Sequence, residues 1–118
     1  VKDEEKEITE IIRNWIKLLS ENRLEEASKQ IANDANQFWT EDRLKAVVFT
    51  DKNFKIENPY EMNPEGERVE IYEFDDNSGW AVEYDLPIEK RWSDLTAQFT
   101  FRKNKGKMDF TLEDIHVL

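Results

Sequence analysis

Apolar and polar positions alternate most strictly in the last quarter of the chain, Trp92 to Leu118. There Leu95, Ala97, Phe99 and Phe101 alternate with Asp94, Thr96, Gln98, Thr100 and Arg102, and Met108, Phe110 and Leu112 alternate with Asp109, Thr111 and Glu113. A period of two places the apolar side chains on one face of a half-buried strand. Asn104-Lys105-Gly106-Lys107 between the two runs is a turn with a glycine able to take positive φ. The segment therefore predicts a hairpin. Pairing Phe101 with Phe110 puts Phe99 opposite Leu112 on the apolar face, and Arg102 opposite Asp109 and Thr100 opposite Thr111 on the polar face. A slip of one residue sets Phe101 against Asp109, so the first register is favoured.

Ile115 and Val117 continue the alternation in the opposite phase. One extra residue near Glu113-Asp114, a β-bulge, restores the apolar face and brings Ile115 opposite Ala97 and Val117 opposite Leu95. The chain end at Leu118 is then expected to be tied into the sheet.

A different period governs the start. From about Asp3 to Leu19, Ile8, Ile11, Ile12, Trp15, Ile16 and Leu19 recur at three- and four-residue steps, the stripe of an amphipathic helix, with Trp15 as a core aromatic. Asp3, Glu4, Glu5 and Glu7 suit the positive end of its dipole, and Lys17 the negative end. Asn22 followed by Glu25 resembles a capping box, predicting a second helix to about Ala32, ended by Asn33-Asp34-Ala35-Asn36. Phe38-Trp39 then offers an apolar anchor. Thr40 before Glu41 and Asp42 predicts a short third helix with Leu44, Val47 and Val48 on one face, although Ala46 to Phe49 would also suit a buried strand.

Phe54 and Ile56 suggest a short strand, followed by an extended loop through Asn58-Pro59 and Asn63-Pro64-Glu65-Gly66. Arg68 to Phe74 reads as a strand with Val69 and Ile71 on one face and Tyr72 and Phe74 on the other. Asp75-Asp76-Asn77-Ser78-Gly79 turns into a strand in which Trp80, Val82, Tyr84 and Leu86 alternate with Ala81, Glu83 and Asp85. Pro87 to Arg91 connects it to the final hairpin. Helices first and strands afterwards predict an α+β fold, N-terminal helices packed on one face of a curved antiparallel sheet of four or five strands. At 118 residues without a Gly/Ser/Pro-rich linker, one domain spanning 1–118 is expected.

Composition changes the picture in three ways. Only 38% of residues are hydrophobic, but fourteen aromatics, four of them Trp, supply a small aromatic core. The net charge of −10 disfavours nucleic acid and anionic membrane and is complementary to a basic protein partner. It also serves ordinary solubility. Arg102, Lys103, Lys105 and Lys107 make the tip of the last hairpin locally basic, which reads as edge protection. The absence of cysteine removes disulfides, thiolate catalysis and Cys-ligated metals. No apolar run approaches the roughly 20 residues of a membrane span, and no signal peptide is present, so a cytoplasmic setting is expected. The start at Val1-Lys2-Asp3 is compatible with a removed leader. The sequence does not fix an oligomeric state.

Gly79-Trp80-Ala81-Val82, Trp92-Ser93-Asp94-Leu95-Thr96 and the ending Leu112-Glu113-Asp114-Ile115-His116-Val117-Leu118 resemble an uncharacterised bacterial domain family that ends in a similar D-[IL]-H-V-L sequence. The order of helices and strands also resembles the NTF2-like (cystatin-like, SnoaL-like) superfamily. That second resemblance implies anything from cyclases and isomerases to binding modules and toxin-immunity proteins, and so chooses no activity.

Candidate chemistry is sparse. His116, the single histidine, could act as a general base oriented by Asp114, or serve as a structural tie to Asp94 or a backbone group, and the structural reading is adopted. Ser93 beside Asp94 lacks a nucleophile elbow. Asp75, Asp76 and Asn77 lack calcium-loop spacing and read as turn chemistry, so neither a metal nor a cofactor is expected. Glu83 and Asp85 project to one side of a strand as a pair of carboxylates. Together with Trp80 and Trp92 they are the candidate binding residues. The function expected is a non-catalytic protein-binding domain, for instance an immunity-type inhibitor of a basic toxin. The alternative is an NTF2-like small-molecule site walled by Trp15, Trp39 and Tyr84.

Overall fold

The computed structural model describes residues 3–32, 39–48 and 55–117, with Val47, Val48 and Val117 described by backbone alone. Helices α1 (Asp3–Ser20), α2 (Leu24–Gln30) and α3 (Glu41–Val48) precede strands β1 (Val69–Glu73), β2 (Trp80–Ile88), β3 (Arg91–Asn104) and β4 (Lys107–Val117). The strands form an antiparallel meander in the order β1-β2-β3-β4. The architecture is α+β, with a curved open sheet.

Period-two patterning fixes the β3–β4 register. Phe101 pairs with Phe110, Arg102 with Asp109, Thr100 with Thr111 and Phe99 with Leu112, after which the register shifts so that Gln98 pairs with Asp114, Ala97 with Ile115 and Leu95 with Val117. Glu113 is the additional residue. Without it, Ile115 would turn to solvent; with it, Ile115 is buried beside Leu112 and Phe110. Leu118 lies outside the described residues.

The apolar face of β2, β3 and β4 packs on α1. Trp15 is fully buried, edge-on to Phe99 and Phe110 at 5.6 and 6.0 Å, and its indole N–H donates to the Ala27 carbonyl at 2.9 Å. That bond satisfies the polar atom of a core tryptophan and draws α2 onto α1.

The second helix starts differently from the capping-box expectation. Asn22 takes φ 60°, its N–H bonds to Leu19 O, and Arg23 N–H bonds to Leu18 O at 2.9 Å. These are the bonds of a Schellman stop, with asparagine replacing the usual glycine because its short polar side chain tolerates the left-handed region. Asn22 therefore closes α1. The cap position of α2 is Arg23, which makes no side-chain capping bond, and α2 ends at Gln30, short of Ala32. The stretch Asn33 to Phe38 lies outside the described residues. The third helix forms, with Leu44 buried.

The short strand expected around Phe54 reduces to one antiparallel bridge, Ile56 to Ile88, with Phe54 outside the described residues. The loop after it is held by two asparagines. Asn58 and Asn63 each accept a backbone N–H two residues on and start single-turn 3-10 helices at Pro59–Glu61 and Pro64–Gly66. The expected connection Pro87 to Arg91 is tighter than its sequence suggests. Strand β2 runs through Pro87, with an irregularity between Asp85 and Pro87, and only Glu89 and Lys90 turn the corner, at φ 52° and 64°.

Candidate functional site

The helices cover one face of the sheet, so the side chains that alternate with the core residues form its other face. Pairing places them in rows. Glu70, Glu83, Gln98 and Asp114 make one row, and Asp85, Thr96 and His116 the next. Arg68, Glu70, Glu83, Asp85, Asp94 and Thr96 line a shallow groove of about 220 Å³ on this face. Four of these six are carboxylates and one is a cation, so the groove is acidic.

Each carboxylate is held differently. Asp85, 14% exposed, accepts from the Thr96 hydroxyl at 2.8 Å and lies 3.4 Å from the Arg68 guanidinium, which is itself 80% exposed. Glu70 accepts from the Tyr72 hydroxyl at 2.6 Å. Glu83 faces Glu70 directly across the β1–β2 pair, and its side chain makes no hydrogen bond or ion pair among the described residues. Like charges directly opposite each other in a sheet destabilise it, typically by roughly 0.2–1 kcal/mol. The groove thus carries a cost that neutral side chains would avoid.

The other candidate residues separate. Asp114 and His116 share the polar face because the bulge falls just before them, and His116 Nδ1 lies 3.0 Å from Asp114 Oδ2. The contact is close enough for an ion pair when the imidazole is protonated, but it lies out of line for a hydrogen bond. Asp114 Oδ1 also accepts the Ile115 N–H at 2.9 Å, a contact that closes the bulge. Asp94 does not meet the histidine; it lies in the acidic groove. Ser93 donates its hydroxyl to Leu86 O at 2.7 Å and accepts from Leu95 N–H, so its oxygen is committed to the backbone. Trp80 is 7% exposed and belongs to the core. Trp92 packs edge-on to Tyr84 at 6.1 Å on the helix side, donates to Asn63 O, and lies so close over Gly66 that an added Cβ would fall 2.3 Å from its ring. The two tryptophans therefore lie apart from the acidic pair.

Tyr84 exposes a feature missed in the sequence. It occupies the apolar phase of β2, fully buried, and donates to Glu67 Oε2 at 2.6 Å. Arg13 of α1 grips the same carboxylate with two bonds, Nε to Oε2 at 2.9 Å and Nη2 to Oε1 at 2.5 Å, and reaches Glu10 with Nη1. Glu10 in turn accepts from the Tyr60 hydroxyl. Burial pushes the Glu67 carboxyl up, but the bonds from Arg13 and Tyr84 outweigh it and hold it below its ordinary range. Burial, and then the bond to Glu67, push the Tyr84 hydroxyl far up, so it stays a donor. This arrangement ties α1 to the approach of β1 and to β2. A tyrosine between Val82 and Leu86 was the available signal, since a buried hydroxyl requires a partner.

Chemically, the polar face offers fixed negative charge. No group of three or more metal-ligating side chains is assembled among the described residues, and no helix among them is long and apolar enough to cross a membrane. A family model described as a domain of unknown function (DUF7668) matches residues 2–118. No curated protein and no solved structure matches the chain.

Proposed function

The chain belongs to the DUF7668 family, and from that premise we propose that it is a non-catalytic binding module whose acidic sheet face receives a basic protein. The observation that carries this reading is the Glu70–Glu83 opposition, extended by Asp85 and Asp94 into a groove with Arg68 as its cation. Self-repulsion across β1 and β2 is relieved when a partner's lysines or arginines enter, so part of the binding free energy comes from cancelling a cost already present in the fold. Inhibition of a basic toxin by an immunity-type protein is one form of this role, and the cytoplasmic setting expected from the sequence belongs to the same proposal. The NTF2-like pocket draws less support, because Trp15 and Tyr84, two of its expected walls, are fully buried with their polar atoms bonded inside the core.

The test is site-specific photo-crosslinking in the native cell, with the crosslinking residue at position 98, beside Glu83 in the same row, or, as control, at the exposed position 25 of α2. The proposal expects a discrete adduct from position 98, identified by mass spectrometry as a protein of net positive charge, and lost when Glu70, Glu83 and Asp85 are neutralised. Adducts from position 25 alone, no adduct from position 98, or an acidic adduct from position 98 would overturn it.

A further inference from the structure

The two edges of the sheet are treated unequally. On β4 two outward carbonyls in the middle of the strand are occupied: Phe110 O accepts the Ala32 N–H at 2.7 Å, and Leu112 O accepts the Trp39 indole N–H at 2.5 Å. On β1 the hydrogen-bonded pairs with β2 are fixed by Asp85 N–H to Arg68 O and, at the other end, Phe74 N–H to Gly79 O. Alternation then gives Glu70 and Tyr72 to β2 and turns the N–H and C=O groups of Val69 and Ile71 outward. Neither residue's backbone has an outward partner among the described residues.

The side chains beside this open edge are of two kinds. On the helix side, Val69 and Ile71 are only partly buried, whereas their neighbours across the pair, Tyr84 and Val82, are closed off completely or to 1%. They form an apolar ledge. On the other side stand Glu70, Glu83 and Tyr72, the last 54% exposed. A strand added to β1 would lay alternate side chains on these two surfaces.

The geometry points to β1 as a β-augmentation site for an extended segment of the partner protein in which lysine or arginine alternates with apolar residues. The basic side chains meet Glu70 and Glu83, the apolar ones extend the Val69–Ile71 ledge, and the backbone bonds to the outward groups of Val69 and Ile71. A second copy of this chain is a poor occupant, since two bodies of net charge −10 repel and pairing brings Glu70 and Glu73 of each toward the other. The inference rests on the sheet-face reading for the partner's charge and on the open backbone for its conformation.

The probe is a synthetic ten-residue peptide alternating lysine and valine, titrated into the isotope-labelled protein and followed by amide chemical shift and hydrogen exchange. A second peptide of identical sequence carries N-methyl groups on alternate amides, which keeps its charge and removes strand pairing. Expected are a slowing of exchange at Val69 and Ile71 by about tenfold or more at saturation, and an affinity about tenfold weaker for the methylated peptide. Equal affinity of the two peptides, with shifts at Glu83, Asp85 and Gln98 but none at Val69 and Ile71, would overturn the strand-pairing inference while the acidic face stands. No binding by either peptide would overturn both.

Discussion

Replacing Arg13 with methionine keeps the aliphatic stem against α1 and removes the guanidinium from Glu67. Glu67 is left with a side chain 10% exposed and one remaining bond, from Tyr84. Charged hydrogen bonds contribute about 1.5–3 kcal/mol each, and removing one member of a buried pair costs about 3–5 kcal/mol. Arg13 is itself 31% exposed, so solvent screens part of this pair. The expected loss is about 2–3 kcal/mol at neutral pH, read as a lower urea midpoint by fluorescence of the buried Trp15. The pH dependence gives the sharper check. A carboxyl held below its ordinary value of 4.5 adds stability above that value, and this stability is lost as pH falls through the folded-state value. In Arg13→Met burial prevails and the carboxyl rises instead, so protonation relieves the variant as it weakens the parent. The gap between the two proteins should begin to narrow above pH 4.5, as the variant's raised carboxyl takes up its proton, and go on narrowing below pH 4.5 until the parent's carboxyl is protonated as well. A gap of the same size at neutral and acid pH would refute the assignment of Arg13 to an ionised Glu67.

Two further substitutions test the backbone account. Lys90→Gly removes a side chain from a turn position at φ 64° while leaving Glu89, which accepts the Lys55 N–H; stability should rise by about 0.5–1 kcal/mol in urea unfolding. Gly79→Ala places a Cβ 2.2 Å from the Phe101 carbonyl oxygen, an atom fixed in the β2–β3 ladder, and should cost about 1–3 kcal/mol with local exchange loss at Trp80 and Phe101.

Legibility followed the number of independent constraints acting on each stretch. The β3–β4 hairpin was constrained by alternation, by a glycine turn and by cross-strand chemistry, and all three agree with the observed register, down to Glu113 as the extra residue. The Glu89-Lys90 corner carries no glycine or asparagine to announce positive φ; it is held by Lys55 and Glu57, whose side-chain and backbone bonds arrive from more than thirty residues away. Asn22 was ambiguous because the same side chain suits a helix start and a left-handed helix stop. At the candidate site, Glu83 and Asp85 were readable as one-sided carboxylates from the strand period alone. Glu70 was not, since its opposition to Glu83 depends on the β1–β2 register, which the short strand underdetermines. The Arg13–Glu67 clamp lies across 54 residues of chain, and no local pattern encodes it.

The acidic sheet face is tested most directly by comparing two charge-matched triple variants in binding to the protein captured through position 98. Glu70→Gln/Glu83→Gln/Asp85→Asn removes three charges from the groove. Glu7→Gln/Glu25→Gln/Glu41→Gln removes three from exposed helical positions. The account predicts that the sheet variant weakens affinity by about a hundredfold or more and the helical variant by less than about threefold. Equal losses in the two variants would show that net charge alone attracts the partner, and would contradict a binding role for this face.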